Sequence, residues 1–189
     1  MKEKIKDSLE PGEEILWSAQ PAAFKALDKT HKNYYIRRSI IVAIAALAVF
    51  AAYFYAAISA AGEIKWGVVA VLLALTAYAA LSPVMDINKL RKCSYVLTNE
   101  KLLLVSPGDV RSVKLSSIPT AKIVGDEDGQ LSLLCGPLAE KLPAFKRRVI
   151  TLSGAMLEQS SGMCDRFVLY AIGDVQGLRK AAEGYLTIA

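Results

Sequence analysis

Two uncharged apolar runs, nearly back to back, constrain this chain's fold more than any other feature. Residues 39–61 read SIIVAIAALAVFAAYFYAAISAA and residues 66–85 read WGVVAVLLALTAYAALSPVM, with only Gly62, Glu63, Ile64 and Lys65 between them. At about 1.5 Å per residue, the runs reach roughly 34 and 30 Å as helices, enough to cross a hydrocarbon core of about 30 Å. The short connection forces an antiparallel pair, so the sequence predicts a transmembrane hairpin over 39–85. Buried core helices of a soluble protein rarely stay uncharged over this length. A secretory signal would be shorter and would start nearer the N-terminus.

Basic residues set the expected orientation. Lys29, Lys32, Arg37 and Arg38 precede the first run, Lys89, Arg91 and Lys92 follow the second, and the connection has Lys65 alone. Positive residues stay on the cytoplasmic side, so both termini are expected there, in a multi-pass protein of the cytoplasmic (inner) membrane. Tyr34, Tyr35 and Trp66 stand where interfacial aromatics belong. Pro83 falls in the last turn of the second run, where it can bend or end the helix. Ala48, Ala52, Ala56 and Ala60, and then Ala70 and Ala74, recur at four-residue spacing, which suits close helix packing within the hairpin or between chains.

Outside these runs the chain reads like a soluble protein. The excess behind the 53% hydrophobic content and the mean hydropathy of +0.33 sits in residues 39–85. The net charge of +5 divides into +2 over 1–38 and +3 over 86–189. No aromatic-basic stripe accompanies it, so it points to an anionic membrane surface rather than to nucleic acid. Cys93, Cys135 and Cys164 are odd in number and far apart, which fits reduced structural thiols and neither a disulfide framework nor a zinc site. His31 has no second ligand nearby.

After residue 93 come short Val-, Ile-, Leu- and Thr-rich segments: SYVLTN (94–99), KLLLVS (101–106), VRSVKLSSI (110–118), TAKIVGD (120–126), QLSLLCG (130–136), RRVITLSG (147–154) and RFVLYAIG (166–173). Turn residues separate most of them, so about seven antiparallel strands are expected. Val113, Leu115 and Ser117 alternate with Ser112, Lys114 and Ser116, as in a half-buried strand. Asp174 is an expected N-cap for a closing helix over VQGLRKAAEGYLTI, with Val175, Leu178, Ala182 and Leu186 on its apolar stripe. The domains are then an N-terminal cytoplasmic segment (1–38), the hairpin (39–85, with spans 39–61 and 66–85) and a cytoplasmic domain (93–189). The class is membrane-anchored α+β.

Two motifs frame the hairpin. Leu9, Pro11, Gly12, Glu13, Leu16 and Trp17 form L-x-P-G-E-x-x-L-W. Tyr95, Leu97, Thr98, Asn99, Glu100 and Lys101 form Y-x-L-T-N-E-K before an apolar run. Together with the paired apolar runs, these resemble the bacterial pleckstrin-homology-like membrane proteins. Lys101 stands where that pattern usually has Arg, keeping the charge but losing the bidentate fork. The resemblance covers most of the chain. It implies a seven-stranded split β-barrel with a C-terminal helix, and it implies no catalytic residues.

The sequence offers no catalytic constellation. It contains no GxGxxG, P-loop, HExxH or GxSxG pattern, and one histidine supplies no ordinary triad. Asp126, Glu127 and Asp128 begin like a calcium loop but lack its later ligands, so a solvated turn is expected. No cofactor or metal is expected. Arg37, Arg38, Lys89, Arg91, Lys92, Lys146, Arg147 and Arg148 are candidate contacts for lipid headgroups, against the plainer readings of topology signals and a solvated loop. The function expected is a non-enzymatic membrane-anchored module for protein assembly or recruitment, through self-association or another membrane protein. The alternative is a sensor of anionic lipid. An enzyme or transporter subunit fits worst, because the runs hold only weakly polar groups such as Ser59 and Thr76.

Overall fold

The computed structural model describes residues 5, 8–25, 27–59, 62–153, 157–158 and 162–189. Ala60, Ala61 and Gly154, which the sequence reading placed in a span, the alanine series or a strand, lie outside these residues. The chain is α+β and divides into two units, Met1–Thr30 with Asp86–Ala189, and His31–Met85.

The first unit holds two antiparallel sheets. Strands β1 (Ile15–Ala19), β2 (Ser94–Thr98), β3 (Lys101–Val105) and β4 (Val110–Lys114) pair in sequence order. The Ile-Leu-Trp run before the apolar segments is thus an edge strand, and β1 pairs with β2 from Ile15↔Thr98 to Ala19↔Tyr95. The unit therefore takes in the chain on both sides of 31–85, a wider grouping than 93–189 alone. Strand β3 is buried along its whole length and β2 nearly so. Val96, Leu103 and Val105 form one buried cluster. Alternation holds through 112–116, where Val113 and Leu115 are buried and Ser112, Lys114 and Ser116 are exposed. The strand itself ends at Lys114, and Leu115–Ser117 turns as a short 3-10 helix.

The second sheet runs β5 (Ala121–Gly125), β6 (Leu131–Cys135) and β8 (Cys164–Leu169), with the two-residue β7 (Leu157–Glu158) on the outer edge of β8. Among the described residues no strand pairing joins the two sheets.

One expected strand is a helix. After the short helix α3 (Pro137–Glu140), residues Ala144–Ser153 form α4 and not a strand. The β-branched run Val149, Ile150, Thr151 favoured a strand. The inward positions are instead Arg147, Arg148 and Thr151, at helical spacing. Thr151 Oγ1 reaches the carbonyls of Arg147 (3.0 Å) and Val168 (3.1 Å), which fastens the helix to β8. Tertiary packing overrides local propensity here.

The closing helix α5 (Val175–Ala182) starts where expected, with the Asp174 carboxylate accepting the Gly177 N–H at 2.8 Å. It is shorter than expected. Gly184 takes φ +84°, and the chain then straightens so that Ile188 bridges β5.

The second unit lies within helices α1 (Lys29–Ser59) and α2 (Trp66–Arg91). Helix α1 is long and apolar enough to cross a membrane. Helix α2 bends by 44° between Trp66–Ser82 and Val84–Arg91, and reaches that length only if both parts form one span. The break falls at Pro83, which supplies no N–H to the helix ladder. Large apolar side chains point outward from both helices: Ile41 is 66% exposed, Leu47 70%, Ile58 73% and Trp66 73%.

Candidate functional site: the basic residues and a buried arginine box

The triplet Lys146, Arg147 and Arg148 does not form a basic loop. It lies on α4, and its members face different ways. Lys146 is exposed, whereas Arg147 and Arg148 are buried. Arg148 Nη2 pairs with the Asp28 carboxylate, and it donates to Tyr170 Oη at 3.1 Å and to the Lys25 carbonyl at 3.3 Å. Its guanidinium carbon also sits 4.8 Å from the Phe24 ring centre and 5.1 Å from that of Tyr170, within cation–π range. Phe24 and Tyr170 meet edge to face at 5.6 Å. Arg147 Nη1 donates to the Gly125 carbonyl at 3.1 Å, and burial lowers its pKa, with Asp126 opposing. The headgroup assignment of Arg147 and Arg148 is therefore corrected: both side chains are buried, Arg148 against Asp28 and Arg147 against the Gly125 carbonyl. Burial also pushes the Tyr170 phenol up, although Arg148 opposes the shift.

The residues carrying the family resemblance are brought together, and they fasten the N-terminal segment to the domain. Thr98 Oγ1 donates to Glu13 Oε1 at 2.5 Å, and Lys101 Nζ lies 2.9 Å from Glu13 Oε2. Lys101 also reaches Glu10 at 3.5 Å. Asn99 Oδ1 accepts the Glu14 N–H at 3.1 Å, while the Asn99 N–H donates to the Glu14 carbonyl at 3.2 Å. Trp17 Nε1 donates to the second oxygen of the Asp174 cap at 3.2 Å. Tyr95 Oη donates to the Tyr170 carbonyl at 2.5 Å, and burial raises its pKa well above normal. Gly12 takes φ +89°, which suits glycine in the turn that Pro11 opens. Pro11 and Glu100 are exposed. Burial of Glu13 opposes ionisation, but hydrogen bonds from Thr98, the Glu10 N–H and Lys101 outweigh it and hold the carboxyl below its usual range. These positions serve cohesion within the unit.

Among the remaining basic candidates, Arg37, Lys89, Arg91 and Lys92 are exposed and Arg38 is half-buried. Arg91 is partly committed: Nη2 donates to the Phe24 carbonyl at 3.0 Å, and its guanidinium lies over the Phe24 ring. Arg38 Nη2 donates to Ser82 Oγ at 2.6 Å within the helical unit.

Sequence reasoning missed Phe24, Asp28 and Tyr170, because nothing local marks residues that meet across more than a hundred positions. In the acidic turn Glu127 is exposed, and the two half-exposed aspartates also accept backbone hydrogen bonds. Asp126 Oδ1 accepts the N–H groups of Asp128 (3.0 Å) and Gln130 (2.8 Å). Asp128 accepts those of Lys29 (3.1 Å) and Thr30 (2.9 Å), the first two residues of α1. These bonds, led by the Thr30 N–H, lower the Asp128 pKa. An aspartate remote in sequence thus does the work of a helix N-cap. The Asp28 and Asp128 side chains both line a groove of about 420 Å³.

The three cysteines are buried thiols outside any disulfide, and burial pushes the Cys93 thiol up to about 11 and Cys135 higher still. Thiols shifted in this direction are poor nucleophiles. Among the described residues no group of three or more His, Cys, Asp or Glu side chains is placed to hold a metal ion. No family model matches the chain, and no curated protein and no solved structure matches it.

Proposed function

We propose that this chain is a non-enzymatic, membrane-anchored module that assembles or recruits proteins at the cytoplasmic membrane face. In this reading α1 and α2 are a transmembrane hairpin, both termini are cytoplasmic, and the two sheets are the halves of a pleckstrin-homology-like split barrel. The observation that carries it is the outward-facing apolar surface of α1, which lipid would cover and water would not. Pairing of the helices has a topological support. Strand β1 precedes α1, strand β2 follows α2, and the two are hydrogen-bonded in one sheet. If α1 crosses a bilayer, the chain must cross back before β2, and α2 is the segment available. The basic residues at 29–38 and 89–92 favour the cytoplasm for that shared side.

The test combines topology with mass. A Glu63→Cys variant in intact cells is expected to react with a membrane-impermeant thiol reagent, while Asp109→Cys reacts only after lysis. Native mass spectrometry of the full-length protein in mild detergent is expected to give a defined oligomer or a co-purifying protein. Labelling of Asp109→Cys in intact cells would overturn the orientation, and a bare monomer would overturn the assembly reading.

A second reading, contact with anionic lipid, is favoured by the exposure of Arg37, Lys89, Lys92 and Lys146. Each basic side chain near an anionic surface contributes about 1 kcal/mol. Arg147 and Arg148 drop out of that set.

A further inference from the structure

A groove of about 400 Å³ runs between α1 and α2 inside the helical unit, with Val42, Ala45, Ala46 and Val49 on one side and Thr76 and Ala79 on the other. Its lining is apolar, and the Thr76 hydroxyl is turned back to the Leu72 carbonyl at 2.8 Å. Arg38 continues the same helical stripe, one turn before Val42, and Ser82 continues the opposite one, a turn after Ala79. The 2.6 Å bond from Arg38 to Ser82 therefore joins the two helices one turn beyond the residues that line the groove. That bond uses one of five guanidinium N–H donors. An arginine at the head of an apolar groove, with one of its five N–H donors on Ser82, suits an anion with an apolar tail.

We propose that Arg38 and the groove below it bind one anionic phospholipid, the headgroup phosphate on the guanidinium and an acyl chain between Ala46 and Ala79. The inference rests on the membrane reading of α1 and α2. A second copy of the chain is a poorer occupant, because an apolar helix face would leave the Arg38 charge unmatched.

The test is native mass spectrometry of the full-length protein in mild detergent with equal amounts of phosphatidylglycerol and phosphatidylcholine. The expected result is one retained phosphatidylglycerol per chain, preferred about fivefold, the factor expected of one basic residue at an anionic headgroup. Arg38→Gln is expected to abolish the preference, and Ala46→Phe to reduce retention of both lipids by filling the groove. Arg37→Gln, adjacent in sequence but off the stripe, is expected to keep the preference. So is Ser82→Ala, which removes the tether and leaves the charge. Loss of preference in Ser82→Ala or Arg37→Gln would overturn the site, as would unchanged binding in Arg38→Gln. A dimer that Ala46→Phe dissociates would put a second copy in the groove instead. Alkaline carbonate extraction of the same membranes separates the two failures: release of the protein refutes the anchor, while retention without lipid preference refutes only this site.

Discussion

Removing the Asp28 carboxylate tests the arginine box most directly. Arg148 is fully buried, and Asp28 supplies its counter-charge from the segment before α1. Breaking a buried pair from one side costs about 3–5 kcal/mol, because a charge is left without compensation. Arg148 would keep Tyr170 Oη, the Lys25 carbonyl and two ring faces, so Asp28→Ala should fall near the lower end, about 3 kcal/mol. At roughly 2–4 °C per kcal/mol for a chain of this size, that lowers the melting temperature by roughly 6–12 °C. The assay is thermal unfolding of the full-length protein in detergent, followed by near-ultraviolet circular dichroism. The decisive variant is Asp28→Ala with Arg148→Met. Replacing both charges by apolar groups removes the orphan, so the double variant should recover about 2 kcal/mol relative to Asp28→Ala alone. A double variant as damaged as the sum of the two singles would refute the reasoning, since the two side chains would then be acting independently.

Three further predictions concern the fastening of the N-terminal segment and the second sheet. The folded-state pKa of Glu13 is depressed, so its contribution is present above the unfolded carboxyl pKa and is lost as pH falls through the lower folded value. Glu13→Gln should therefore flatten the acid side of the stability–pH profile and leave its slope near neutrality unchanged, as read by melts between pH 3 and 7, roughly spanning the carboxyl range. Asp174→Ala removes both the α5 cap and the acceptor of Trp17 Nε1, and should cost about 1 kcal/mol with a shift in tryptophan emission. Gly136 takes φ +90°, and a Cβ there would stand 2.4 Å from the Cys164 carbonyl oxygen. Gly136→Ala should cost roughly 2 kcal/mol or more, and an unchanged melt would contradict the geometry.

What the sequence disclosed and what it concealed follow from the range of the interactions. The apolar runs, the 94–105 hairpin and the Asp174 cap are local patterns; the hairpin and the cap fall where turn and capping residues put them, while the helices holding the apolar runs reach beyond them, α1 starting at Lys29 and α2 ending at Arg91. Helix α4 was concealed because its β-branched run argues for a strand locally, while the contacts that hold it helical come from β8 and from Asp28. The same distance hid the role of Arg148. Three consecutive basic residues look like surface, and only a partner 120 positions away shows that one of them is core. The L-x-P-G-E and T-N-E-K motifs were legible as motifs but not as a clasp, because no spacing rule relates Glu13 to Thr98. Their joining, together with the β1–β2 ladder and the Asp28–Arg148 pair, ties the N-terminal segment to 86–189 within one unit.

That joining has a consequence for the 93–189 segment on its own. The segment contains β2 but not β1, so the backbone groups of 95–98 that face β1 lose their partners. It contains Arg148 but neither Asp28 nor Phe24, so a guanidinium built into the interior loses its counter-charge and one of its two ring faces. It also lacks Trp17 and Glu13, which leaves Thr98, Lys101 and Asp174 short of partners. The unpaired charge alone costs about 3–5 kcal/mol. Small domains are stable by only about 5–15 kcal/mol. Isolated 93–189 is therefore expected to unfold or aggregate, giving poorly dispersed amide resonances and no cooperative melt. A chain that joins 8–30 to 86–189 through a flexible Gly/Ser linker is expected to melt cooperatively. A well-dispersed spectrum from 93–189 alone would mean that the N-terminal clasp is dispensable, and that the cohesion assigned to Glu13, Trp17 and Asp28 lies elsewhere in the sheets.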